Sequence, residues 1–237
     1  MKSPSRRNLL KAVALTPAAA IVPLRFVQPR NAEAVTPDYA QPPDVYLTSA
    51  ELSFVEAAVG RIIPNDELGP GAREAGVATF IDHQLAGPYG RADSWYMQGP
   101  WRGGTKEQGY QLKLTPAQVY RAAIADIDAH TRSKYGNKAF AELDAKTQDE
   151  VLHALEKGDL ELPHAPADAF FSLLVDNTVE GFLADPLYGG NRDFIGWKLV
   201  GFPGPRYNYV AEIEQYGKKY DMPFVSIAGR DTGVRKG

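Results

Sequence analysis

The spacing of apolar residues between helix-start and helix-stop signals is the feature that most constrains the fold of this chain. From residue 48 onward, apolar side chains recur every three or four positions, which is the period of one face of an α-helix. Thr48-Ser49-Ala50-Glu51 is a capping box, and Pro64 ends the helix that follows it. No segment shows the sustained apolar–polar alternation of a half-buried strand. The sequence therefore predicts an all-α fold with little sheet.

The same signals predict further helices over 73–86, from Thr115-Pro116 onward, over 137–143, from a capping box at 147–150 to Gly158, and over 166–184. The helix over 166–184 is the most apolar of them. Its predicted inward face consists of Phe171, Leu174, Val175, Thr178 and Phe182, with Phe170 and Leu173 beside it. Asn191 or Asp193 is expected to cap a last helix that carries Phe194, Trp197 and Leu199. A short helix is expected near 210–217.

The N-terminus has the pattern of a twin-arginine export signal. Arg6 and Arg7 precede a mildly apolar stretch that is too short to span a membrane, and Ala32-Glu33-Ala34 is a small-x-small cleavage site. The domain organisation follows from these boundaries: an export signal over 1–34, an extended lead-in over 35–47, an irregular helical domain over 48–205, and an extended, mostly irregular tail over 206–237.

Composition excludes several classes of function. The chain has no cysteine, which rules out disulfides, iron–sulfur clusters, c-type haem attachment and thiol catalysis. Residues 35–237 hold 20 basic and 28 acidic side chains and so carry a net charge of −8. Nucleic acids and anionic membranes attract clustered Lys and Arg, so neither is an expected partner, and membrane contact is expected only through a complex.

No recognisable cofactor or metal site is present in the sequence. The glycines lack the strand–turn–helix context of a dinucleotide site, and the four histidines are scattered, so no catalytic, cofactor-binding or metal-binding residue is assigned. Two alternatives remain open. Glu180, Asp185 and Asp193 lie near aromatic residues, as in a free carbohydrate-active enzyme that uses acid–base carboxylates. The second alternative is a small redox carrier.

Aromatic residues concentrate in the glycine- and proline-rich segments rather than in the helices alone. Such rings either cover the chain's own core or contact a partner, since Trp, Tyr, Met and Arg are enriched at interfaces. The candidate interface residues are Trp95, Tyr96, Met97, Trp101, Tyr188, Arg192, Trp197 and Phe202.

Several of these segments resemble the small (gamma) subunit family of membrane-bound gluconate 2-dehydrogenase. The similar segments are RIIPNDELGPGA at 61–72, WYMQGPW at 95–101, GFLADPLYGGNRD at 181–193 and the GWK and GFPG motifs at 196–198 and 201–204. They are spread over most of 48–205, so the resemblance covers the predicted helical domain.

The resemblance implies a non-catalytic subunit of a three-part complex. A large subunit would hold FAD and oxidise the substrate, and a multihaem cytochrome c subunit would pass electrons to quinone. The small subunit would hold no cofactor, support maturation, and carry the folded flavin subunit through the twin-arginine translocase. The expected location is the periplasm, at the inner membrane through the complex. Gluconate is the first expectation for the substrate, while relatives accompany 2-ketogluconate, fructose, sorbitol and glucose dehydrogenases.

Overall fold

A computed structural model describes residues 46–206, 208–220 and 222–228 of the chain. Within these residues the fold is all-α, as predicted, and contains six α-helices and no strand. The helices are α1 (Ser49–Ile62), α2 (Val77–Ala86), α3 (Pro116–Lys134), α4 (Ala145–Lys157), α5 (Ala167–Leu183) and α6 (Ile195–Val200). The predicted export signal at 1–34 and most of the lead-in lie outside the described residues. No helix of the described part is long and apolar enough to cross a membrane.

Helix α5 is the centre of the fold and contacts all five other helices. The core next to it contains four fully buried aromatic rings. Phe54 of α1 packs against Phe140 and Phe170, with ring centroids 4.6 and 6.2 Å apart, and Tyr120 of α3 meets Phe170 edge-on at 5.4 Å. Burying rings of this size is the largest single contribution that side chains make to a core.

Local signals determine where α1 and α3 begin. Thr48 and Glu51 form the predicted capping box of α1, and Thr115 and Gln118 form one on α3, where Pro116 occupies the first helical position. Each box satisfies two backbone N–H groups that the helix itself leaves without partners.

Two predicted helix starts are wrong. Helix α2 begins at Val77 and not near residue 73, because Gly76 has a φ of 73° and ends the preceding turns in the left-handed region. Helix α4 begins at Ala145, and its cap is Asp144, whose carboxylate accepts from the backbone N–H of Thr147. The predicted capping box at 147–150 therefore lies inside the helix.

The inward face of α5 is rotated from the predicted one. Phe170, Leu174, Asn177, Thr178, Gly181 and Phe182 are buried, whereas Phe171 and Val175 are only half-buried. The segment 137–143 contains a single 3₁₀ turn, Phe140–Glu142, and residues 210–217 form turns without the predicted helix. In the last helix Phe194 and Trp197 are buried, but Leu199 is 49% exposed.

Candidate partner interface

The connection between α2 and α3 holds the first group of predicted interface residues. We call residues 95–111 the aromatic loop. Trp95 lies half-buried between Tyr89 and Tyr110, with centroid distances of 5.7 and 4.8 Å. Tyr96 is 78% exposed and Trp101 is 37% exposed, while Met97 is half-buried. The loop therefore uses Trp95 for its own packing and presents Tyr96 and Trp101 outward.

Hydrogen bonds join the start of this connection to the core. The Tyr89 hydroxyl donates to Asn177 Oδ1 at 3.1 Å, and Asn177 Nδ2 donates to the Tyr120 hydroxyl at 3.0 Å. Burial raises the pKa of Tyr89 to about 12 and that of Tyr110 to about 12, and it raises the pKa of Tyr120 well above its ordinary value. All three phenols therefore stay neutral at physiological pH and keep their donor protons.

Gly90 explains why the connection can lie so close to α2. A Cβ at this position would be 1.9 Å from the carbonyl oxygen of Leu85, a distance that no side chain tolerates. The Gly90 N–H donates to Gln84 O, and its carbonyl accepts from Ala117 N–H at 3.1 Å. Gly90 thereby ties the end of α2 to the first turn of α3.

A second aromatic cluster contains the other predicted interface rings. Phe194 stacks on Trp197 and on Phe224 of the tail, and Phe202 meets Trp197 edge-on at 5.0 Å. Trp197 is only 4% exposed, and its indole N–H donates to Leu183 O at 2.7 Å. Its prediction as a contact residue is thus corrected: Trp197 is a core residue, because α5, α6 and the loop around Phe202 enclose its ring.

The remaining predicted contact residues are accessible. Tyr188 and Phe202 are nearly half exposed, and Arg192 is exposed while its backbone N–H donates to Ala75 O at 2.9 Å. Tyr188 lies in the 3₁₀ turn Pro186–Tyr188 and Arg192 in the 3₁₀ turn Arg192–Phe194, and these two turns contact each other. Phe202 follows the end of α6. The sequence gives no direct signal for this arrangement.

An apolar groove beside α6 was not predicted. It has a volume of about 400 Å³ and is lined by Ile62, Ile63, Pro64, Asp66, Leu68, Gly69, Pro70, Phe182, Ile195, Lys198 and Leu199. Leu68 and Leu199 are 73% and 49% exposed, and Val200 beside the groove is 60% exposed. Leu199 was predicted to lie in the last helix, but no sequence pattern indicated this surface.

The three acidic residues of the carbohydrate-active alternative have different roles. Asp185 is buried, and its two carboxylate oxygens accept from Leu187 N–H at 3.0 Å and Ile227 N–H at 2.6 Å. Glu180 shares a shallow depression with Asp185, and burial, together with the charge of Asp176, raises the pKa of Glu180. Asp193 is exposed. Asp185 thus holds the tail against the turn after α5.

Within residues 46–206, 208–220 and 222–228, no group of three or more His, Asp or Glu side chains is placed to hold a metal ion. The fold and its surfaces thus define an all-α domain with exposed aromatic and aliphatic side chains that are available to other molecules. The chain matches the family model for gluconate 2-dehydrogenase subunit 3 over residues 49–204, and it belongs to this family. No curated protein and no solved structure matches it. Family membership confirms the resemblance in the sequence and implies a complex with other subunits.

Proposed function

We propose that this chain is the small, non-catalytic subunit of a periplasmic, membrane-associated sugar-acid dehydrogenase of the gluconate 2-dehydrogenase type. Its partners are a large subunit that holds FAD and a multihaem cytochrome c subunit. The observation that carries the proposal is the family match over 49–204, which spans most of the helical domain. In this role the chain supports maturation of the flavin subunit and carries it through the twin-arginine translocase.

The apolar groove is the surface we assign to the flavin subunit. Its exposed leucines and the adjacent Val200 would lose contact with water on docking, which is the main favourable term in protein association. Lys198 and Asp66 at its margin supply polar partners of both signs, as the rim of an interface does. The aromatic loop, with Trp101 exposed, remains the contact predicted from the sequence.

Assembly can be tested by co-purification with the co-expressed flavin subunit. We expect Leu199→Asp to lower the affinity by about thirtyfold, corresponding to ~2 kcal/mol for a residue at the centre of an interface. Its thermal melt should stay unchanged, because Leu199 is half exposed in the free subunit. Trp101→Ala tests the predicted contact at the aromatic loop in the same assay.

Val179→Asp is the matched control, since Val179 is an equally exposed aliphatic residue on α5 that does not line the groove. This variant should leave assembly unchanged. Equal losses for Leu199→Asp and Val179→Asp would remove the groove from the interface. Failure of the wild-type chain to co-purify with any flavin subunit would contradict the proposed function itself.

A further inference from the structure

The aromatic loop lines a pocket of about 510 Å³, and none of the lining side chains that the structure describes is charged: Trp95, Tyr96, Gln98, Gly99, Pro100, Trp101, Gln108, Tyr110 and Gln111. We propose that this pocket binds a neutral polyhydroxylated ligand, a hexose or a polyol. The proposal goes beyond the proposed function, because it concerns the free subunit and requires no partner chain.

Aromatic rings form the walls of the pocket. Trp101 and Tyr96 line it and are also exposed to solvent, and Trp95 is held in place by its edge contacts with Tyr89 and Tyr110. The C–H faces of a sugar ring or polyol chain are apolar and pack on such rings, which bury a large area per side chain. Aliphatic ligands would pack on the rings equally well. The polar groups of the pocket therefore determine the chemical class of the ligand.

Amide side chains supply those polar groups. Gln108 Oε1 accepts from Thr105 N–H at 2.8 Å, so the Gln108 NH₂ is left as a donor. Gln111 Nε2 donates to Gln108 O at 2.9 Å, so the Gln111 carbonyl oxygen is left as an acceptor. Gln98 adds a third amide. A hydroxyl group both donates and accepts hydrogen bonds. Hydroxyl groups of a ligand can therefore pair with both the free amide donor and the free amide acceptor.

The hydrogen bonds also orient the Gln108 and Gln111 amides before a ligand arrives. Gly104 permits their close packing, since a Cβ there would be 2.7 Å from Gln108 Oε1 and 2.9 Å from Gln111 Cγ. The Tyr110 hydroxyl donates to Leu114 O at 2.5 Å, and this bond restrains a ring that lines the pocket. Side chains ordered in advance lose less conformational entropy on binding.

Charge and size narrow the ligand further. Because none of the lining residues that the structure describes is Lys or Arg, a carboxylate would lose hydration without gaining an ion pair from them, and a sugar acid should bind less well than the neutral sugar. The volume lies within the range of roughly 300–1,000 Å³ that is typical of small-molecule sites.

The test uses the mature chain labelled with fluorotryptophan and followed by ¹⁹F NMR. The protein has three tryptophans, of which Trp95 and Trp101 line the pocket and Trp197 is buried elsewhere. Titration with glucose or glucitol should shift the Trp95 and Trp101 resonances saturably in the millimolar range and leave Trp197 unchanged. Gluconate should bind more weakly than glucose.

Gln111→Ala should weaken the binding by on the order of tenfold, since it removes one hydrogen-bond acceptor. Gln215→Ala, an exposed glutamine outside the pocket, is the control and should leave the titration unchanged. Absence of a saturable shift with every neutral sugar and polyol would overturn the proposal, as would gluconate binding at least as tightly as glucose. A response to indole but to no sugar would assign the rings to a protein partner instead.

Discussion

Asn191 shows how one residue can organise the end of this fold. It is fully buried with a φ of 47°, in the left-handed region that Asn tolerates better than most residues. Its Nδ2 donates to Ala184 O at 2.7 Å, and its Oδ1 accepts from the backbone N–H groups of Gly196 and Trp197. The side chain therefore joins the end of α5 to the first turn of α6, although the residue at the N-cap position of α6 is Phe194 and not the predicted Asn191 or Asp193.

Asn191→Ala should lower the free energy of unfolding by about 3 kcal/mol, because it leaves buried backbone groups without partners. Asp193 has a φ of 55° in the same turn but is exposed, so Asp193→Ala controls for backbone strain alone. That variant should cost no more than about 1 kcal/mol. Urea unfolding measures the free energy of unfolding of both variants. Equal losses of stability in the two variants would show that the hydrogen bonds of Asn191 contribute nothing.

At the scale of one element, the start of α4 depends on a single carboxylate. Asp144 Oδ2 accepts from the Thr147 hydroxyl at 2.7 Å, and Oδ1 accepts from its N–H at 3.1 Å. These bonds, the side-chain bond first, lower the pKa of Asp144 below its ordinary value. Since the folded state favours the ionised group, its contribution is present above the ordinary pKa of about 3.9 and is lost as pH falls through the lowered pKa.

Asp144→Asn tests this predicted direction of the pH dependence of stability, because asparagine also caps helices but does not titrate in this range. The wild-type chain should be more stable than the variant at neutral pH, and the difference should shrink as the pH falls below 4. The measurement is the free energy of unfolding of both chains across acidic pH. A difference that stays constant with pH would contradict a role for the carboxylate charge at the start of α4.

At the scale of the whole molecule, export of the dehydrogenase complex is proposed to depend on the N-terminal segment of this chain. Arg6 and Arg7 lie outside the described residues, and their role rests on the sequence pattern. Replacing both by lysine keeps the charge but removes the arginine pair. We expect this variant, and the dehydrogenase activity with it, to remain in the cytoplasm.

Cell fractionation with an activity assay measures the effect, and a lysine replacement of the nearby Arg25 is a matched control. Normal periplasmic activity with the double variant would mean that the flavin subunit does not depend on this chain for export. Retention with the Arg25 replacement would show that the assay responds to any change in the N-terminal segment.

Much of the fold could be predicted because its determinants are local. The capping residues of α1 and α3 and the glycine after α4 act within four or five residues of each other along the chain. Their effect on the backbone is therefore visible in a short window of sequence. The start of α4 was missed because Asp144 and the 147–150 pattern are both acceptable helix starts, and the contact of 3₁₀ turn Phe140–Glu142 with α1 and α3 places the chain for the earlier one.

The sequence by itself determined the helical class, most helix ends, the family and the residue types of the candidate interface. Only the tertiary structure decided which of those residues face outward. Trp101 and Trp197 both lie in glycine-rich segments, yet one is partly exposed and the other is buried beneath α5, Phe202 and the cluster that includes Phe224. Burial depends on segments far apart in the chain, and hydrophobicity is non-directional, so no local pattern specifies which partner covers a ring. For the same reason the groove at Leu199 and the pocket at Trp101 became visible only when the chain was folded.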